Sequence, residues 1–217
     1  MRYITLISKV CGCIIPFMVL FSLGTWQVFR RQEKLQIIEK MRATPINIPA
    51  NIHLHSYKKV RATGTFMEES FRVFAGKQGY YHLQLFKLED GRHILVNRGT
   101  YSGKTLPEVT NIKLQEKIEG ILYCELSNKV KWVVNNDADE NIWFWFDLEN
   151  MAKLINVPLE NCVVWGNSST VAAGLKPNVA PILRNDHTEY AMTWYVLSVV
   201  WIAGYISFVK NRTSYKC

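Results

Sequence analysis

YAMTWYVLSVVWIAGYISFV, residues 190–209, runs for twenty residues without a charge. An α-helix of about 20 residues is about 30 Å long, the thickness of a bilayer's hydrocarbon layer. A second uncharged run, VCGCIIPFMVLFSLGTWQVF, fills residues 10–29. Together they predict two transmembrane helices in the 217-residue chain. The first run is longer than the apolar core of a signal peptide, and no A-x-A-like cleavage site follows it, so it is expected to be retained. The plan is a tail at 1–9, a helix at 10–29, an extramembrane domain at 30–189, a helix at 190–209 and a tail at 210–217.

Charge placement orients this plan. The chain has 26 Lys and Arg against 18 Asp and Glu, a net +8. All the acids lie between Arg30 and Glu189, whereas the tails hold only Arg2, Lys9, Lys210, Arg212 and Lys216. Basic short tails favour the cytoplasmic side. Both termini are therefore expected in the cytoplasm, with the central domain outside. Arg30, Arg31, Lys34, Lys40 and Arg42 follow the first span and pull the other way. Large domains translocate with little regard to charge, so the tails weigh more. The sequence carries no Arg- and Ser-rich presequence of the mitochondrial kind, which points to a bacterial inner membrane. The central domain is only about +3 and has no basic stripe, which argues against nucleic acid.

Between the spans the pattern is mostly β. RRQEKLQIIEKM, residues 30–41, extends the first helix, with Leu35, Ile38 and Met41 on one face. After a proline-punctuated stretch come KKVRATGTF, SFRVFAG, YYHLQLFKL, RHILVNRGTY, KIEGILYCEL, KVKWVVNN and IWFWFDL. These runs are rich in β-branched and aromatic residues and many alternate. Asp90-Gly91 between two of them signals a hairpin. LENMAKLIN, residues 148–156, is the one helical pattern inside the domain, and NCVVWGN reads as a returning strand. Pro177 and Pro181 mark an extended approach to the second span. The fold class expected is a membrane protein of α+β type. Two transmembrane helices flank a mainly antiparallel β domain, left open or closed into a small barrel.

Candidate chemistry concentrates at RNDHTEYAMTWYV, residues 184–196. Asp186 and Glu189 resemble a capping box, so the helix is expected to begin at His187. His187, Ala191, Trp194 and Ser198 then share a face, with His187 at the water–lipid boundary. Trp26 lies near the same boundary on the first helix. A neutral imidazole with an aromatic wall suits haem iron. An ordinary aromatic collar with a solvated histidine gives the same pattern, and both readings stand. Cys11, Cys13 and Met18 are soft ligands of the Cu(I) kind, but two cysteines two apart on a helix point in different directions. Cys124 and Cys162 are free to pair in an outward domain. His53 and His55 read as one face of a surface strand. NNDADEN lacks the glycine and distal glutamate of a calcium loop, and GKQGY lacks the context of a phosphate loop. No G-x-S-x-G, H-E-x-x-H or C-x-x-C is present, so no enzyme is expected.

Four stretches in order resemble the Surfeit locus (Surf/Shy) family of cytochrome c oxidase assembly factors. The first is Gly24, Trp26 and Gln27 followed by Arg30, Arg31 and Lys34. The second is Gly64 with Phe66, and the third is Val96, Asn97, Arg98 and Gly99. The fourth is Asn185, His187, Tyr190, Thr193, Trp194 and Tyr195. The resemblance covers nearly the whole chain. Thr100, Tyr101 and Ser102 depart from the Trp-Val-Pro that usually follows Asn-Arg-Gly. The resemblance implies a role in maturing subunit I of a haem-copper oxidase, with haem a held or handed over. In it His187 is the haem contact, and Tyr190 and Trp194 support it. Subunit I, haem a synthase and the lipid bilayer are the partners implied. A scaffold that stabilises an oxidase assembly intermediate is the competing reading.

Overall fold

The computed structural model describes residues 2–103, 105, 116–126, 134–177 and 186–214. In chain order the elements are α1 (Arg2–Arg42), β1 (Ile46–Asn47), β2 (Lys59–Phe74), β3 (Tyr80–Leu88), β4 (His93–Tyr101), β5 (Glu116–Tyr123), β6 (Ile142–Trp143), α2 (Leu148–Ile155), β7 (Val163–Gly166) and α3 (His187–Ser214). Pro181, Asn185, Lys216 and residues 129–133 of the strand expected at 129–136 lie outside the described residues. The chain forms two compact units, Met1–Ile38 with Leu183–Cys217, and Glu39–Ile182.

The first unit is a helix pair. Both α1 and α3 are long and apolar enough to cross a membrane. Ile15, Val19, Met192 and Val199 are each more than half exposed, as lipid-facing side chains would be. The contacts run in opposite order along the two helices, so the pair is antiparallel. Gln27 meets His187, Thr25 meets Tyr195, and the Cys13 carbonyl accepts from the Trp201 indole at 3.2 Å. Gly24 lets the helices approach: a Cβ there would lie 2.7 Å from the Tyr195 ring. Pro16 lies inside α1, which continues through it, and lacks the N–H that would reach the Gly12 carbonyl.

The second unit is a closed barrel. β2 pairs with β3, β3 with β4, β4 with β7, β7 with β5, and β5 returns to β2. The sheet is mainly antiparallel. Within the barrel only β4–β7 is parallel among the described strands, and β1 and β6 add short parallel pairings to β2. This is a five-stranded Greek-key arrangement, which removes exposed sheet edges. The expected runs KKVRATGTF and SFRVFAG are a single strand, β2. It continues through a bulge between Phe66 and Ser70, and the bend lets it serve neighbours along its length. At Gly64 an added Cβ would run into the Lys87 carbonyl, so only glycine fits there. The hairpin at Asp90-Gly91 joins β3 to β4, with Gly91 at φ 86°.

Alternation divides the core. Phe66, Phe86, Leu88, Ile94, Val96, Ile118, Leu122 and Val164 form one buried cluster. Leu83, Leu85, Leu95 and Val163 point the other way, into a second cluster with Trp143 and Met151 of α2. Asp147 caps α2 by accepting from the Asn150 N–H, and Asn156 ends it in a left-handed conformation. Cys124 and Cys162 form a disulfide, one residue beyond the Tyr123–Val163 pair, and staple β5 to β7.

Two expectations change. His53 and His55 do not lie on a strand: Ile52–His55 is a 3-10 turn, with Ile52 fully buried as its anchor. IWFWFDL is a strand only at Ile142–Trp143. The Asn136 amide oxygen accepts the backbone N–H groups of Phe144 (2.8 Å) and Trp145 (3.3 Å), which takes these donors from any ladder.

Candidate functional site

The helix pair carries the histidine that the sequence singles out. α3 begins at His187, as its capping residues predict. The face His187, Ala191, Trp194 and Ser198 is the inward one. Ala191 and Ser198 are buried, and His187 and Trp194 are half-buried. His187 Nδ1 lies 2.7 Å from Oε1 of Gln27 on α1. Among the described residues none bonds its Nε2. Below this bond Tyr195 fills the space over Gly24, with its hydroxyl 3.2 Å from Thr25 Oγ1 and its ring 5.3 Å from that of Phe21.

The other predicted site residues stand differently. Trp26 and Tyr190 are about half exposed. The Trp26 ring has the Arg30 guanidinium 5.9 Å away, and Arg30 also pairs with Glu33 at 2.7 Å. Trp26 thus lies on a flank of α1, whereas the next residue, Gln27, reaches α3. Consecutive helical residues point about 100° apart, which is why a motif holding both Trp26 and Gln27 cannot aim both at His187. In the sequence Gln27 stands out only as part of a motif. Its spacing of three from Gly24, on the face where the helices touch, was the available signal.

Farther along the pair lies an apolar groove of about 560 Å³, lined by Gly12, Leu20, Trp201, Gly204, Tyr205 and Phe208. Cys11 and Cys13 are free thiols. Among the described residues no group of three or more His, Cys, Asp or Glu is disposed to hold a metal ion.

The barrel holds its own polar cluster. Arg98 is 4% exposed and Gln84 equally so, and His82 is 1% exposed. The Arg98 guanidinium donates to Gln84 Oε1 at 2.8 Å and to the Thr170 carbonyl at 3.3 Å, and it lies 4.0 Å from the centre of the Phe66 ring. Gln84 in turn donates to the Met67 carbonyl at 2.7 Å. Burial, and then the Arg98 charge, push His82 down from 6.5 to about 4, so its ring is neutral. Arg98 and Gly64 come from the resemblance motifs, yet both are committed to building the barrel. The motif residues of the sheet are therefore structural, and those of the helix pair leave an open ring nitrogen.

The molecule is thus a barrel-bearing protein with two candidate membrane spans and one histidine bridging them. A model of the SURF1 family matches residues 14–199. The chain is 29% identical to a SURF1-like protein of Rickettsia felis, over 93% of this chain and 96% of that one. It is 31% identical to Surfeit locus protein 1 of Takifugu rubripes, over 88% and 94%, and 27% identical to that of Rattus norvegicus, over 86% and 72%. The chain belongs to the SURF1 family.

Proposed function

We propose that this protein is a membrane-anchored assembly factor for cytochrome c oxidase that holds haem a through His187 during maturation of subunit I. The observation that carries the reading is the pairing of α1 and α3 around His187, in a chain of this family. A lone imidazole cannot enclose a bare metal ion, but it suits iron already held by a macrocycle. The residues present therefore fit haem better than a free metal ion. When bound, haem a would supply a redox-active iron that accepts a nitrogen ligand. His187 would supply that nitrogen at a half-buried position, and Trp194, two turns along the same face of α3, would provide aromatic surface. Tyr190 and Trp26, being about half exposed, are placed to meet a haem edge or a partner helix rather than the iron.

The same reading places both termini in the bacterial cytoplasm and the barrel in the periplasm. The Cys124–Cys162 disulfide supports this, since such bonds persist outside the reducing cytosol. The barrel docks subunit I, haem a synthase is the donor, and the protein itself is not a catalyst. The Arg30, Arg31 and Lys34 collar meets lipid headgroups.

The test is co-expression with a haem a synthesis pathway, purification in mild detergent and a redox difference spectrum. Wild type is expected to carry haem a, and His187→Ala to lose more than about tenfold of it while remaining folded. Equal haem in both removes His187 from the ligand role. No haem in either, with subunit I still co-purifying, supports a scaffold instead.

A further inference from the structure

We infer that Gln27 is a positioning residue that fixes the tautomer of His187 and so makes Nε2 the ligating nitrogen. The inference deepens the haem reading and rests on it for its consequence, though not for its geometry. The Gln27 atom 2.7 Å from His187 Nδ1 is the amide oxygen. An amide oxygen accepts and cannot donate. With the amide oxygen turned to it, Nδ1 carries the proton and donates it. In a neutral ring the lone pair then falls on Nε2, which no described residue bonds. Free histidine prefers the opposite tautomer, with the proton on Nε2. Left alone, the ring would present a blocked Nε2 for most of the time.

The bond also fixes direction. His187 is the first residue of α3, where its own helix constrains the side chain least. Gln27 comes from the other helix, so the bond holds the ring against α1. Both groups are half-buried, which limits competition from water. Gln27 can do this because Gly24, one turn away on the same face, brings α1 against Tyr195. Hydrogen bonds of this kind raise the donor strength of an imidazole and set its orientation. A carboxylate in place of the amide would do so more strongly, and an apolar side chain not at all.

The experiment uses the full chain in detergent with nitrogen-15-labelled histidine, prepared without haem, at a pH where the ring is neutral. Wild type is expected to show His187 protonated on Nδ1, and Gln27→Leu to show the proton moved to Nε2. The same tautomer in both, or Nε2–H in wild type, overturns the inference. A second arm loads haem a. Gln27→Glu is expected to retain it, with a reduction potential below that of wild type. Gln27→Leu is expected to lose roughly tenfold in occupancy, with what remains at a higher potential. Unchanged potentials across the three, with haem still bound through His187, also overturn it. If His187→Ala keeps its haem, the ligand reading fails, and the tautomer arm still decides the role of Gln27.

Discussion

Two histidines set the helix pair against the barrel. His82 is 1% exposed, sits beside a buried arginine and is held neutral by burial and by that charge. His187 is half-buried, donates a single hydrogen bond to the opposite helix and leaves one nitrogen open. Arg98, Gln84 and the carbonyls of Thr170 and Met67 form a connected set in the barrel, whereas both ring nitrogens of His82 are buried without a hydrogen-bond partner. The helix pair commits little in this way, because its outer surface is apolar. A polar side chain kept among apolar helices is costly, which makes His187 the candidate site of the pair. Arg98, kept in the barrel core with its guanidinium hydrogen-bonded, builds architecture.

The comparison breaks most visibly at Arg98. Truncation by Arg98→Ala leaves a cavity and strands Gln84 Oε1 and the Thr170 carbonyl. It is expected to destabilise the barrel by about 4 kcal/mol, read from denaturant unfolding. Haem retention per folded molecule should be unchanged. If it falls with stability held constant, the barrel cluster is not purely architectural.

Acid provides the next test. His82 has its folded value near 4, below the ordinary 6.5. As pH falls through 6.5 the unfolded chain takes up this proton and the folded one does not. Stability from this group is full above 6.5, declines between 6.5 and 4, and is lost below 4. The total is on the order of 3 kcal/mol. Melting curves from pH 7.5 to 4 should show the decline, and His82→Gln should flatten it. An equal slope in the variant would assign the effect to other groups.

A smaller effect sharpens the helix side. Gly24→Ala forces a Cβ to within 2.7 Å of Tyr195. The pair is expected to loosen at a cost of about 1–2 kcal/mol. The loss should appear in the thermal unfolding of the helices and in the His187–Gln27 bond, with the barrel transition unmoved. A variant with an intact His187 tautomer would show that the bond does not depend on close helix approach.

Much of the fold was legible in the chain. The uncharged runs at 10–29 and 190–209 announced helices, because a bilayer imposes length and apolarity directly on sequence. β3 and β4 followed from alternation, the turn between them from Asp90-Gly91, and α2 from its own periodicity. Other features depended on contacts distant in sequence. Asn136 ended the strand at Trp143 by capturing two backbone donors. The bulge that merged two runs into β2 has no local signature in Met67, Glu68 and Glu69. The pairing of Cys124 with Cys162 needed β5 and β7 to be neighbours.

At the candidate site, sequence by itself determined that a helix starts at His187 and that Ala191, Trp194 and Ser198 share its face, since helical periodicity is a local property. It also determined that acids are kept to the region between the spans. Tertiary structure alone decided that Gln27 rather than Trp26 reaches His187, because rotation about the α1 axis is set by packing Gly24 against Tyr195. It alone decided that Arg98 and His82 lie inside a barrel, because alternation says only that residues share a face and closure of β5 onto β2 decides which face is the interior.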